Sequence, residues 1–166
     1  ELHALLNPRS EPRPAAAPPV PAPQGDRARL QGLRVLLAED NEVNQMVVRR
    51  MLEKAGHTVV IAGSGHQAIA ATRAGTFDLI LMDVQMPEQD GYETTKQIRE
   101  EERREGHRTP IVALTANAMA GDRDACLDAG MDDYLAKPFS RSSLATVLAR
   151  WLRAAGLASG CRSNTA

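Results

Sequence analysis

Five side chains that could share one piece of chemistry stand at the carboxyl ends of short apolar runs. Glu39 and Asp40 follow Val35-Leu36-Leu37-Ala38, and Asp83 ends Leu79-Ile80-Leu81-Met82. Thr115 follows Pro110-Ile111-Val112-Ala113-Leu114, and Lys137 follows Asp133-Tyr134-Leu135-Ala136. A charge such as Asp83 at the end of a strand buried on both faces is costly unless something nearby needs it. Three acids brought together repel one another and raise each other's pKa. A hard divalent cation relieves that repulsion, and magnesium takes oxygen ligands while keeping waters that phosphate oxygens can replace. Lys137, a compact cation, suits a second phosphate oxygen, and the Thr115 hydroxyl suits a third. These parts fit phosphoryl transfer, in which the protein mainly positions groups and neutralises charge. The acceptor would be a carboxylate nucleophile, since no histidine, cysteine or serine ends a strand.

Each residue taken singly has an ordinary explanation. Acids favour the start of a helix, Lys137-Pro138 suits a turn, and a strand-end threonine bonds to backbone. What joins them is the order of elements. The first run is followed by Val43, Met46, Val47, Met51, Leu52 and Ala55 at helical spacing, with Gly56 as C-cap. His57 to Ala62 reads as a second strand, and Ser64-Gly65-His66-Gln67 resembles a capping box before a helix over 65–74. The third strand ends on Asp83, with Pro87 and Asp90-Gly91 shaping the loop before a helix from Tyr92 to Arg104. That helix ends in Arg99-Glu100-Glu101-Glu102-Arg103-Arg104-Glu105, whose alternating signs predict a solvated face with ion pairs. A fourth strand, a helix from Met119 to Ala129 stopped by Gly130, and a fifth strand follow. Ser140 caps a last helix carrying Leu144, Val147, Leu148, Trp151 and Leu152. Five alternations of strand and helix predict an α/β fold, a doubly wound parallel sheet with right-handed crossovers. In such a sheet the carboxyl ends of the strands line one edge, where ligands bind.

The totals of the 166-residue chain agree: 43% hydrophobic, 25% charged and a net charge of −1 suit one soluble domain with length to spare. The charge balance and 3% aromatics give no footing for a nucleic-acid or membrane-surface partner. No apolar run is long enough to span a bilayer. Cys126 and Cys161 have no metal-ligand spacing and read as a packed Cys126 and a free tail Cys161, as expected of a reducing compartment. Residues 1–30 carry Pro8, Pro12, Pro14, Pro18, Pro19, Pro21 and Pro23 among alanines and are expected to be a disordered, extended linker. The folded domain is expected over 31–154 and a flexible tail over 155–166. The first residue is Glu1, so the sequence reads as a piece of a longer chain.

The set resembles the receiver domain of two-component signalling, the phosphoacceptor module of response regulators. The matching stretches are Leu36-Leu37-Ala38-Glu39-Asp40-Asn41, Leu81-Met82-Asp83-Val84-Gln85-Met86-Pro87 with Asp90-Gly91, Ala113-Leu114-Thr115-Ala116, and Asp133-Tyr134-Leu135-Ala136-Lys137-Pro138-Phe139. They cover Leu33 to Trp151. The resemblance implies a flavodoxin-like sheet of order 2-1-3-4-5 with five helices. It implies Asp83 as the phosphorylated residue, and Glu39, Asp40, Asp83 and the Gln85 carbonyl as holders of Mg2+, with Mn2+ as a possible substitute. Thr115 and Lys137 would contact the phosphoryl group, and the small Ala116 would leave room for it. Thr115 and Tyr134 would form the switch that alters the face of the fourth helix, fifth strand and fifth helix. Gln85 and Asn117, two positions beyond acceptor and hydroxyl, would set how long the phosphate lasts.

No helix-turn-helix pattern or basic cluster follows the last helix. Glu39-Asp40-Asn41-Glu42-Val43-Asn44-Gln45 and Leu114-Thr115-Ala116-Asn117-Ala118-Met119 resemble receivers of hybrid histidine kinases more than those of transcription regulators. The implied partners are a histidine kinase domain, within the same parent chain, and a histidine phosphotransfer domain. The implied location is the cytoplasm, with a parent that can be membrane-anchored. A stand-alone regulator is the near alternative. A magnesium-dependent phosphohydrolase and an unphosphorylated binding module are the alternatives from other classes. The hydrolase usually has a second acid two residues after its nucleophile, where this chain has Gln85.

Overall fold

Strands of four or five residues, most of them rich in Val, Ile and Leu, alternate with helices along the chain. The computed structural model describes residues 32–117 and 119–159, with backbone alone at 120, 152 and 154–159. The linker expected over 1–30 and the tail from 160 onward lie outside the described residues. The strands are β1 (Arg34–Ala38), β2 (Thr58–Ala62), β3 (Leu79–Asp83), β4 (Ile111–Thr115) and β5 (Asp133–Ala136). The helices are α1 (Glu42–Lys54), α2 (Gly65–Ala74), α3 (Gly91–Glu105), α4 (Ala120–Asp128) and α5 (Arg141–Ser159). All pairings are parallel and the sheet order is β2-β1-β3-β4-β5, as the resemblance implied.

Strand alternation divides the core into two layers. Leu36, Ala38, Ile80, Met82, Ile111 and Ala113 pack with Ala68 and Ile69 of α2, Ile98 of α3 and Cys126 of α4. Val35, Leu37, Leu79, Leu81, Val112 and Leu114 pack with Val48 and Leu52 of α1 and Leu144, Val147 and Leu148 of α5. Both faces of β1, β3 and β4 are therefore covered, which is why those strands are almost wholly apolar.

The helix ends follow local chemistry. Asn41 caps α1, its Oδ1 accepting from the Val43 and Asn44 amides. Ser64 accepts from the Gln67 amide, but Gln67 Oε1 returns to the Gly63 amide at 2.8 Å, one residue upstream of a standard capping box. Asp90 caps α3 through the Glu93 amide, and Ser140 caps α5 through the Ser143 amide. Gly56 (φ 89°) and Gly130 (φ 97°) end α1 and α4 in the left-handed region, where glycine carries no Cβ penalty. α5 runs to Ser159, past the boundary expected at 154. Ala154, Ala155, Leu157 and Ala158 favour helix, and the single Gly156 does not stop it.

Two surfaces differ from the sequence-based expectation. The end of α3 is not wholly a solvated face, because Arg99 and Glu102 are buried. Arg99 donates through Nε to the Gly130 carbonyl (2.8 Å), through Nη1 to Glu102 and the Thr109 carbonyl, and through Nη2 to Asp132 Oδ2 (2.6 Å). Glu102 also accepts from the Thr109 amide, and Asp132 from the Ile111 amide. A guanidinium with four of its five N–H donors engaged thus ties α3 to the loops before β4 and β5. The exposed Arg104–Glu100 pair does fit the expected pattern. On α1, by contrast, the apolar stripe is wider than the sheet covers, and Val43, Met46 and Val47 remain exposed.

His57 is buried before β2, and its Nδ1 has no hydrogen-bond partner among the described residues. Burial pushes the imidazole below its usual 6.5. The unfolded chain then takes up a proton before the folded one does. Stability from this site is full above the unfolded pKa and falls as pH drops towards the folded one. Urea midpoints of wild type should fall between about pH 7.5 and about pH 5.5 more than those of His57→Phe. Equal falls in both proteins would contradict this.

Candidate functional site

The register of the sheet brings the distant acids side by side. Ala38 pairs with Met82, so Glu39 and Asp83 leave neighbouring strands at the same level. Both continue the alternation that faces α1 and α5, and so does Lys137 beyond β5. Thr115 continues the opposite set, towards α4, as does Tyr134, which packs beside that core layer. Carboxylate oxygens of Glu39, Asp40 and Asp83 all lie within 4.8 Å of one another.

Lys137 is the hub. Its Nζ donates to Glu39 Oε2 at 2.7 Å and to Asp83 Oδ2 at 2.9 Å. Its position is fixed by its own amide, which donates to the Thr115 carbonyl at 2.7 Å, and a cis peptide joins it to Pro138. Asp83 is 4% exposed, and its Oδ1 accepts from the Gln85 amide at 3.0 Å. Glu39 is 1% exposed, and its Oε1 accepts from Asn44 Nδ2 at 3.0 Å. Asp40 is exposed at the rim.

Charge and burial act differently on the members. Burial pushes the Asp83 carboxyl up, outweighing the Lys137 and Gln85 donors that favour its charge, and the Glu39 charge adds to the rise. Burial also works against charge on Glu39, but the Lys137 and Asn44 donors outweigh it and hold that carboxyl below the usual range. Burial disfavours the Lys137 ammonium, yet its two carboxylate partners hold it above its usual value. Three carboxylates facing one ammonium leave a formal deficit of two positive charges. A hard divalent cation fits both that deficit and the all-oxygen donor set.

The loops complete the edge. The β3–α3 loop closes where the Gly91 amide donates to the Val84 carbonyl at 3.0 Å. A Cβ on Gly91 would stand 2.2 Å from the Asp83 carbonyl oxygen, so only glycine fits. Glu88 adopts φ 69°, a left-handed conformation that nothing in its residue type announces. Thr115 Oγ1 donates to the Asn117 carbonyl (2.8 Å) and accepts from the Asn117 amide (3.2 Å), so its hydroxyl is engaged with its own loop. Ala116 and Asn117 are exposed beside it. Val84, Gln85, Met86, Tyr92, Thr115 and Asn117 line an open cleft next to Asp83.

Four of the five strand-end residues, Glu39, Asp40, Asp83 and Lys137, therefore meet directly, and Thr115 stands at the same edge with its hydroxyl held by its own loop. Sequence reasoning missed Asn44 and Gln45, which hold Glu39 by its carboxylate and, at 2.6 Å, by its carbonyl. Their position one turn into α1 was the available signal, since residues there face back over the preceding strand end.

A doubly wound sheet with an acidic, lysine-bridged carboxyl edge is the arrangement expected of a receiver. The chain belongs to the response regulator receiver domain family, whose model matches residues 35–149. The sensor histidine kinase GacS of Pseudomonas protegens is 46% identical over 119 residues, covering 71% of this chain. The chain spans only 13% of that relative's length. The receiver domain of the sensor histidine kinase PA1611 of Pseudomonas aeruginosa, solved with magnesium in its active-site cleft, is 49% identical with a TM-score of 0.67, covering 74% of this chain and 98% of that one. The receiver domain of Ssk1 from Saccharomyces cerevisiae, solved with the histidine phosphotransfer protein Ypd1, gives 33% identity and a TM-score of 0.70, covering 73% and 89%. None of the described helices is long and apolar enough to cross a membrane.

Proposed function

We propose that Asp83 accepts a phosphoryl group from a phosphohistidine and passes it on within a hybrid-kinase phosphorelay in the cytoplasm. The observation that carries this is the lysine bridge from Lys137 Nζ to Asp83 and Glu39 beside a third acid. Glu39, Asp40, Asp83 and the Gln85 carbonyl would hold magnesium, or manganese with the same taste for oxygen. When bound, the cation supplies the charge that neutralises the phosphoryl oxygens. An Asp83 carboxylate oxygen attacks phosphorus, the O–P bond forms as the N–P bond breaks, and the electron pair stays on the donor imidazole nitrogen. Lys137 leaves one carboxylate contact to pair with a phosphoryl oxygen. Thr115 would exchange its Asn117 partner for another oxygen, and Tyr134, on the same side of the sheet, would follow. The face of α4, β5 and α5 would then change its partners. Ala116 leaves space for the incoming group.

The donor reaches Asp83 past the start of α1, where Val43, Met46 and Val47 are exposed. An apolar strip continuous with the mouth of the site suits the helices of a histidine phosphotransfer or kinase domain. Gln85 and Asn117 flank the approach of a hydrolytic water, and neither is a general base. Their amides orient that water and set the phosphate lifetime.

Incubation with magnesium and acetyl phosphate, followed by intact mass, tests this. Wild type should gain one phosphoryl group that survives acid and is lost in base, and Asp83→Ala should gain none. Val43→Glu/Met46→Glu should label normally with acetyl phosphate and slowly from a phosphohistidine protein. The adduct on Gln85→Leu/Asn117→Leu should decay at a changed rate. A wild type that gains no mass beside a receiver that does would overturn the proposal.

A further inference from the structure

Glu39 is held far more completely than a carboxylate needs merely to be neutralised. Lys137 occupies Oε2 at 2.7 Å, while Oε1 receives Asn44 Nδ2 at 3.0 Å and the Asn41 amide at 3.4 Å. Its main chain is pinned as well, the amide donating to the Ala62 carbonyl and the carbonyl accepting from Gln45 Nε2 at 2.6 Å. Asp40, next in sequence, is exposed and has no side-chain hydrogen bond among the described residues. One acid of the site is thus preset and its neighbour is left to adapt.

We infer that Asn44 is a positioning residue for the cation site, fixing the Glu39 carboxylate in a binding orientation before any ion arrives. This deepens the proposed magnesium-dependent reading and rests on it. Magnesium demands a near-ideal octahedral shell, so a carboxylate already aimed spares the reorganisation that a free one would need. Partners behind metal-binding groups commonly change metal affinity 10- to 100-fold when removed. Asn44 has no competing duty in the helix. The cap of α1 is Asn41, and Asn44 stands in the first turn, where its side chain makes no capping bond. A purely structural Asn44 would therefore leave metal affinity untouched when replaced by alanine.

The experiment is calorimetric magnesium titration of the whole chain, paired with acetyl phosphate labelling at limiting and at saturating magnesium. Wild type should bind the ion. Asn44→Ala should bind about tenfold more weakly while still folding, its urea midpoint lowered by the loss of one hydrogen bond to the buried Glu39 carboxylate. Its labelling should be slow at limiting magnesium and return to within about twofold of wild type at saturation. Asn44→Ser, whose hydroxyl is too short to reach Oε1, should show the same loss and carries the test if the alanine variant misfolds. No binding by wild type would overturn the cation reading itself. Wild-type binding with unchanged affinity in both variants would overturn the role of Asn44 alone. So would a labelling defect that saturating magnesium fails to restore.

Discussion

Replacing Lys137 by methionine should lower the stability of the metal-free protein by about 2 kcal/mol and slow labelling by acetyl phosphate about 100-fold. The stability loss follows from Glu39 and Asp83, both buried, which would face each other without the ammonium between them. Breaking a fully buried pair costs about 3–5 kcal/mol. The lower figure reflects the 23% exposure of the Lys137 side chain, through which water still screens the acids. The rate loss follows from removing a cation aimed at the developing phosphoryl charge. Magnesium should stabilise the variant more than wild type, because the ion then supplies the charge that lysine did. Urea unfolding with and without magnesium, beside a labelling time course, checks both halves. A variant as stable and as quickly labelled as wild type would show that the bridge matters little.

Gly91→Ala should cost about 3 kcal/mol, although it adds one methyl group. The new Cβ would lie 2.2 Å from the Asp83 carbonyl oxygen and 2.9 Å from the Val84 Cα. Both are backbone atoms in a loop pinned to the sheet, so they cannot swing aside as a side chain would. The displaced group is the acceptor residue's own peptide, so labelling should slow along with the loss of stability. Gly121→Ala in α4 is the control. Nothing lies within 4 Å of its Cβ, and the exchange should be neutral or stabilising by up to about 1 kcal/mol. Equal urea midpoints for the two variants would remove the packing explanation.

Much of the site was legible because its residues interrupt strong local patterns. An acid after four apolar residues, or a lysine before proline, stands out at the end of a strand, and the alternation of elements then says where strand ends meet. What the sequence could not show was which face of each helix the sheet would cover. The apolar residues of α1 exceed the area available, so Val43 and Met46 read like core positions and lie outside it. Arg99 and Glu102 erred the other way. Mixed charges on a helix read as solvated, and only tertiary placement puts the Gly130 and Thr109 carbonyls within reach of the guanidinium. Gly91 read as a turn residue, whereas its role is the close approach of two backbones. Asn44 carried only its place in the first turn of α1 as a signal, since its meaning depends on a carboxylate turned back towards it from the preceding loop.

The whole reaction turns on the oxygen of Asp83 that meets phosphorus, and the most direct measurement locates the acyl phosphate. Protein labelled with acetyl phosphate and magnesium is reduced with borohydride, which converts an aspartyl phosphate to homoserine, and is then mapped by peptide mass spectrometry. Homoserine at position 83, and unaltered aspartate or glutamate at 39 and 40, is the predicted result. A phosphoryl group found on a histidine or on another acid, with Asp83 unmodified, would contradict it.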